Sequence, residues 1–222
     1  AYTKRGIKIL TNTKVTAFEG NKVLLDNGET LEADKILVSV GRRANLQGLE
    51  ALTELEFNRG AIVVDDFCRT NLPNVYAAGD VTGKIMLAHV ASRQAEVAIG
   101  RMLKQIPVQR IAYNAIPSVV YTNPEVATVG ISETALEGCE ARTLPMTFSG
   151  RFMAENEGET GLCKLVINSK SQAVMGVHMV GNPCSEFIAA ASFAVRMGYT
   201  VPEFRQVVFP HPTVSEILKE VL

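Results

Sequence analysis

Two apolar runs on either side of a five-residue polar break constrain this chain more than any other stretch. Leu162-Cys163-Lys164-Leu165-Val166-Ile167 and Ala173-Val174-Met175-Gly176-Val177-His178-Met179-Val180 flank Asn168-Ser169-Lys170-Ser171-Gln172. Short runs rich in β-branched residues, interrupted by turn-forming residues, predict an antiparallel hairpin. A helix is expected from about Ser185, with Phe187, Ile188, Ala191, Ala194 and Val195 on one broad apolar face and Gly198 as its stop. Upstream, Ser118–Tyr121 and Val126–Gly130 read as strands around an Asn123-Pro124 turn. Residues 111 to 222 therefore read as one complete α+β module, an antiparallel sheet with helices.

Composition narrows the partners. At 222 residues and 47% hydrophobic, the chain suits one or two domains with a real core. Aromatics are 6% with no Trp, and 22 Lys plus Arg face 23 Asp plus Glu, a net charge of -1. With no basic tract and no stacking platform, neither nucleic acid nor an anionic membrane is expected as a partner. No apolar run approaches the roughly 18 residues of a membrane span. The first residues lack the charged and apolar regions of a signal peptide. A soluble, cytoplasmic protein is expected. Cys68, Cys139, Cys163 and Cys184 are scattered without C-x-x-C spacing, so no metal is expected and reduced, mostly buried thiols are.

The first 110 residues read as pieces of α/β sheets. Ile7-Lys8-Ile9-Leu10 is strand-like, Lys22 to Leu31 reads as a hairpin around Asn27-Gly28, and Ala33 to Gly41 is an apolar strand ending in glycine. Thr70 to Asp80 reads as a turn, a short buried strand, and Gly79-Asp80 at the strand's carboxyl end. In open α/β sheets that end is where ligands bind. Small residues at 77, 78 and 79 let a ligand approach the backbone, and Asp80 can accept hydrogen bonds from hydroxyls. Gly-Asp after a strand is also an ordinary turn. Met86-Leu87-Ala88-His89 opens a helix-like stretch in which Leu87, Ala91, Ala95, Ala98 and Met102 share a face. A helix start carries unpaired N–H groups and partial positive charge. There is no G-x-G-x-x-G fingerprint; Gly150-Arg151 and Gly158 to Gly161 read as turn glycines.

The remaining feature is His211-Pro212-Thr213-Val214-Ser215-Glu216. Histidine is the one side chain whose unperturbed pKa lies near neutral pH, and a carboxylate five residues on can fix its tautomer and stabilise its charged form. Thr213-x-x-Glu216 is equally a capping box for the helix that follows. The two readings are compatible, because a capped helix gives the histidine a rigid base.

The segment from Thr70 to Asp80 resembles the flavin disulfide reductases. Met86-Leu87-Ala88-His89 together with His-Pro-Thr-x-Ser-Glu is similar to the dihydrolipoamide dehydrogenases among them. Glutathione reductases share the second motif but usually not Leu-Ala-His, and mercuric reductases lack the histidine. The resemblance runs from about residue 6 to the end. It implies the C-terminal part of an NAD-binding domain over 1–41, the C-terminal part of an FAD-binding domain over 42–110, and a dimerisation domain over 111–222 that pairs as a homodimer across a two-fold axis.

The resemblance also implies roles. Asp80 would bind the ribitol of FAD, while Met86, Leu87, Ala88 and His89 would face the flavin and favour negative charge on its pyrimidine edge. His89 would be a backbone contact and not an acid or base. Gly41 would lie near the nicotinamide cofactor, although Ala44 replaces the family's usual proline after Arg42-Arg43. Val15 would line the adenosine side of NAD; it also reads as an ordinary strand valine. The implied reaction is oxidation of dihydrolipoamide, borne on lipoyl domains of 2-oxo acid dehydrogenase or glycine cleavage complexes, by NAD through a disulfide and FAD. His211 would deprotonate the dithiol at the flavin site of the opposite subunit, with Glu216 holding its other nitrogen. The family's working disulfide joins cysteines four residues apart, and no such pair occurs here. The expectation is a C-terminal half that does not turn over alone. A non-catalytic dimerisation module, or another dithiol reductase such as glutathione reductase, remains an alternative.

Overall fold

The computed structural model describes residues 1–49, 51–104 and 109–222. They divide into two compact units, Ala1–Arg42 and Arg43–Leu222. In the first, β1 (Val15–Glu19), β2 (Lys22–Leu25) and β3 (Thr30–Glu32) form an antiparallel meander. The expected hairpin is β2 and β3. Its turn closes because Gly28 takes φ 84° and the Asn27 side chain accepts the Glu29 N–H at 2.9 Å.

Two expected strands are absent. Residues 7–10 and 33–41 have extended sequence patterns but no ladder. A strand exists through hydrogen bonds to a neighbour, and among the described residues none pairs with these runs. Leu37 and Val40 are accordingly 90% and 92% exposed.

The second unit begins with a small hairpin, β4 (Phe57–Asn58) and β5 (Ala61–Ile62), turned by Arg59 and Gly60 at φ 51° and 76°. Positive φ at both central residues matches the right-handed twist of the strands. The short strand expected before Gly79 is reduced to one bridge, Arg69 to Tyr76. Next comes α1 (Ala88–Met102). Its buried face is Val90, Gln94, Val97, Ala98 and Gly100, which shares only Ala98 with the stripe expected from Leu87 to Met102; Met102 is half exposed. Counting apolar residues missed this because the centre of the face is a glutamine.

Residues 118 onward build a five-stranded antiparallel sheet in the order β6 (Ser118–Val120), β7 (Val126–Gly130), β10 (Val174–Val180), β9 (Leu162–Asn168), β8 (Cys139–Leu144). The central pair β9 and β10 is the expected hairpin. Cys163, Leu165, Ile167, Val177 and Met179 alternate inward and are buried. β7 pairs with β10 so closely at Gly130 opposite Gly176 that a Cβ on Gly130 would lie 2.1 Å from the Met175 carbonyl oxygen. β8 is an edge strand in which Ala141 and Thr143 are exposed while the charged Glu140 and Arg142 stand opposite the buried Ile167 and Leu165, so no apolar alternation marked it in advance.

The apolar face of the sheet is covered by α3 (Cys184–Met197), which packs on β7 and β10 through Ile188, Ala191, Ala194 and Val195. Burying Ile188 or Val195 contributes roughly 1.5–3 kcal/mol each, and an alanine methyl roughly 0.8 kcal/mol. The helix begins where the Glu125 carboxylate accepts the Ser185 N–H at 3.0 Å, a negative charge at the positive end of the dipole. It ends at Gly198 in the left-handed region. Between β8 and β9 lies α2 (Gly150–Glu155), so Gly150 opens a helix, whereas Gly158 and Gly161 turn the chain with φ 77° and 58°. After α3 come α4 (Val201–Phe204), with a Thr200–Glu203 capping box, and α5 (Ile217–Glu220). Val221 and Leu222 are buried in the core of the sheet.

Candidate active site

The loop between α4 and α5 is held from two sides. Ser149 caps α2 by accepting the Phe152 N–H at 3.2 Å and donates to the Thr213 carbonyl at 3.0 Å. The Thr213 hydroxyl donates to the Pro210 carbonyl at 2.8 Å. On this base Glu216 divides its carboxylate. One oxygen accepts the Thr213 N–H at 2.8 Å, and the other lies 2.9 Å from His211 Nδ1. The capping bond and the contact to the histidine are therefore made by the same side chain. Those bonds, from Thr213 first and then His211, hold the Glu216 carboxyl below its usual pKa despite a small opposing effect of burial. The His211 side chain is 81% exposed, and no hydrogen bond among the described residues engages its Nε2.

The second cluster is the turn before α1. Gly79 has φ 87° and ψ -160°, a conformation open only to glycine, and it leads Asp80 into a single 3-10 turn over Asp80–Thr82. A Cβ at 79 would touch the Ala91 methyl at 3.5 Å, so the backbone lies close against α1. Gln94, fully buried, fixes this geometry. Its carbonyl accepts the Gly79 N–H at 2.6 Å; its amide nitrogen donates to Tyr113 at 3.0 Å and to Thr82 at 3.3 Å. Sequence reasoning passed over Gln94. The available signal was a long polar residue on the inward face of a helix. Asp80 is exposed. Leu87 occupies the N-cap of α1 and cannot cap it with a side-chain oxygen, so the first N–H groups of the helix are left for another acceptor.

Met86 and Leu87 are half-buried, and Ala88 and His89 are exposed. The His89 ring lies 2.9 Å from the Pro117 carbonyl through Nε2, joining α1 to the segment before β6. His178 is also engaged at both nitrogens, by the Thr128 hydroxyl and by the Ile131 carbonyl at 3.0 Å. Among the described residues no hydrogen bond or ion pair joins Asp80 or His89 to His211 or Glu216, so the two clusters are not directly bonded to each other. In the first unit Val15 opens β1, half exposed, and Gly41 has φ 120° in an irregular, exposed segment. No ladder pair links them among the described residues.

All four cysteines are free. Burial pushes the thiols of Cys68 and Cys184 up to about 11 and that of Cys163 up to about 12. Among the described residues, no three His, Cys, Asp or Glu side chains gather to hold a metal, and no helix is long and apolar enough to cross a membrane.

Residues 1–95 match the family model described as pyridine nucleotide-disulphide oxidoreductase, and residues 116–222 match the dimerisation domain of that family. The dihydrolipoyl dehydrogenase of Chlamydia muridarum is 36% identical over 99% of this chain and 48% of its own length. That of Mycoplasma genitalium is 34% identical over 98% of this chain and 49% of its own. The crystal structure of LpdA from Mycobacterium tuberculosis superposes with a TM-score of 0.89 at 27% identity, covering 99% of this chain and 50% of that one. The HOCl-induced flavoprotein disulfide reductase RclA of Escherichia coli shares the fold at 22% identity and a TM-score of 0.84, covering 99% of this chain and 52% of its own. The chain spans about half the length of the curated relatives it matches.

Proposed function

This chain belongs to the pyridine nucleotide-disulphide oxidoreductases, and on that premise we propose that it carries the acid–base dyad and a flavin-facing turn of a dihydrolipoyl dehydrogenase working with FAD and NAD. The observation that carries the reading is the 2.9 Å contact between His211 Nδ1 and Glu216 beneath an exposed imidazole. A carboxylate that accepts the Nδ1–H leaves the Nε2 lone pair free to take a proton. Nε2 removes the S–H proton of a dihydrolipoamide thiol, and Glu216 offsets the charge of the imidazolium that results. The thiolate attacks a disulfide sulfur, forming one S–S bond while the other sulfur departs as thiolate. The second substrate thiol then displaces the first sulfur and closes the lipoamide ring. The substrate is oxidised by two electrons and the disulfide reduced. The disulfide is not supplied by this chain's scattered cysteines.

The residues about Gly79 fit a flavin nucleotide. Asp80 is an exposed acceptor for hydroxyls, and the uncapped start of α1 at Ala88 and His89 offers N–H donors. When bound, FAD supplies the two-electron relay between disulfide and NAD. In this reading Met86 and Leu87 shield the flavin side of the turn, and Val15 and Gly41 belong to the NAD site. Residues 1–41, 42–110 and 111–222 then correspond to NAD-binding, FAD-binding and dimerisation domains. The protein would work in the cytoplasm on lipoyl domains of 2-oxo acid dehydrogenase or glycine cleavage complexes.

A homodimer is part of the proposal. The match to a dimerisation domain supports it, as do large apolar side chains in the same segment that face water: Tyr121 at 80%, Phe148 at 59% and Val208 at 92% exposure. With His211 serving a second copy's flavin, no direct bond between the two clusters within one chain is expected. A hybrid in which this chain replaces the matching half of the Geobacillus stearothermophilus dihydrolipoyl dehydrogenase tests the reading. Reduction of NAD by dihydrolipoamide is the expected result. A folded, flavin-loaded hybrid that reduces oxidised glutathione instead would assign the chain to another dithiol reductase.

A further inference from the structure

A cavity of about 350 Å³ opens between α1, residues 109–116 and α3, and three arginines from those three segments, Arg93, Arg110 and Arg196, line it. Among the described residues no carboxylate lines it. Neither the Gly79 turn nor the His211 loop contributes to it, so it is independent of the function proposed above.

The three cations are incompletely satisfied. Arg93 spends one N–H on Glu96 at 2.9 Å, and Arg110 reaches Asp66 only at 3.5 Å. Among the described residues Arg196 has no carboxylate partner; it donates to the neutral Gln109 carbonyl at 3.0 Å. Each guanidinium carries five donors, and among the described residues these bonds use only one or two of them on each arginine. Glu96 and Asp66 are 66% and 55% exposed, and water screens their pull on the arginines. Arg93 and Arg110 are themselves 48% and 73% exposed, so their mutual repulsion is screened as well; what the three cations supply is a shared set of charged donors lining one concavity. The guanidinium fork matches phosphate and carboxylate oxygens two at a time. Besides Gln109 and Ser192 the rest of the lining is apolar: Ile111 and Ala115 are buried, and the Phe193 ring is 57% exposed. Few polar groups converging on an apolar wall is the usual make-up of a small-molecule site.

We propose that this cavity binds a small phosphate monoester with an apolar or aromatic body. Three cations favour a phosphate dianion over a single carboxylate, and the apolar wall favours an organic phosphate over the inorganic ion. Phenyl phosphate, inorganic phosphate and benzoate are the probes, titrated by calorimetry into the full chain at an ionic strength of about 0.1 M, where exposed charges are already screened over about 10 Å. Phenyl phosphate is expected to saturate with a Kd below about 1 mM and to bind about tenfold tighter than either other probe. Arg93→Gln and Arg196→Gln should each weaken it about tenfold or more with unchanged melting temperature, and Phe193→Ala should remove its advantage over inorganic phosphate. Absence of saturation by phenyl phosphate overturns the proposal. So does an affinity unaffected in both arginine variants, which would place the ligand elsewhere.

Discussion

The side-chain carbonyl of Gln94 accepts the backbone N–H of Gly79 at 2.6 Å across the base of the turn that presents Asp80. Fifteen residues separate the two in sequence, and the bond is what makes the glycine-only conformation of that turn reproducible. Gln94→Leu would leave the Gly79 N–H and the Tyr113 hydroxyl without their buried partner. An unsatisfied buried polar group costs about 1–3 kcal/mol, so urea unfolding should register a loss of about 2–4 kcal/mol. Hydrogen exchange at the Gly79 amide should accelerate beyond that global change. Unaltered protection there would remove Gln94 from this role.

Asp65 organises the bend that precedes this turn. Burial works to raise its pKa, but the N–H groups of Arg69 and Phe67 and the Arg69 guanidinium outweigh it, so the folded carboxyl titrates below its ordinary value. A depressed folded pKa stabilises the protein fully above the unfolded pKa, about 3.9, and that contribution is lost as pH falls through the folded value. The stability gap between wild type and Asp65→Asn should therefore be constant from pH 7 to about 5 and narrow progressively below about 4. Unfolding midpoints at pH 7, 5 and 3 measure it. A gap that widens with acid would contradict the sign.

Thiol titration distinguishes structural cysteines from redox ones. Cys68, Cys163 and Cys184 are buried, and burial pushes their thiols up to about 11, 12 and 11. The thiolate is the reactive form. The native chain should therefore react with a disulfide reagent at Cys139 alone on the minutes scale, and at all four cysteines once denatured. Fast modification of a second native thiol would expose an error in the packing of the sheet or of α1.

The parts of the fold legible in the sequence are those whose stabilising partners are local. The β9–β10 hairpin, α3 with its Gly198 stop, and the Glu216 capping box each follow from residues within about one turn or one loop of each other. Residues 33–41 read as a strand by pattern alone, but a strand is defined by a neighbour and none of the described residues provides one. Gln94 was overlooked for the complementary reason. Its inward position follows from helical spacing, yet its partners Gly79, Thr82 and Tyr113 are brought to it only by the tertiary fold. The His211–Glu216 pair was legible because both ends lie on one short, rigid loop. That the Glu216 carboxylate caps and contacts the histidine at once could be seen only with each oxygen assigned its own donor.

That double duty gives a prediction with two arms, to be read in the hybrid enzyme. Removing the base with His211→Gln should slow reduction of the flavin by dithiol about 10²–10⁴-fold, the usual contribution of general acid–base catalysis. Glu216→Gln retains an oxygen for the Thr213 N–H, so the cap and the fold should survive with little change in melting temperature. It removes the negative charge 2.9 Å from His211 Nδ1. Imidazolium loses its nearest stabilising partner, and the pH–rate profile should move toward acid. The two roles of Glu216 thus separate by measurement, since the cap tolerates glutamine and the histidine's charge does not. A Glu216→Gln profile superimposable on wild type would leave the glutamate as a helix cap and nothing more.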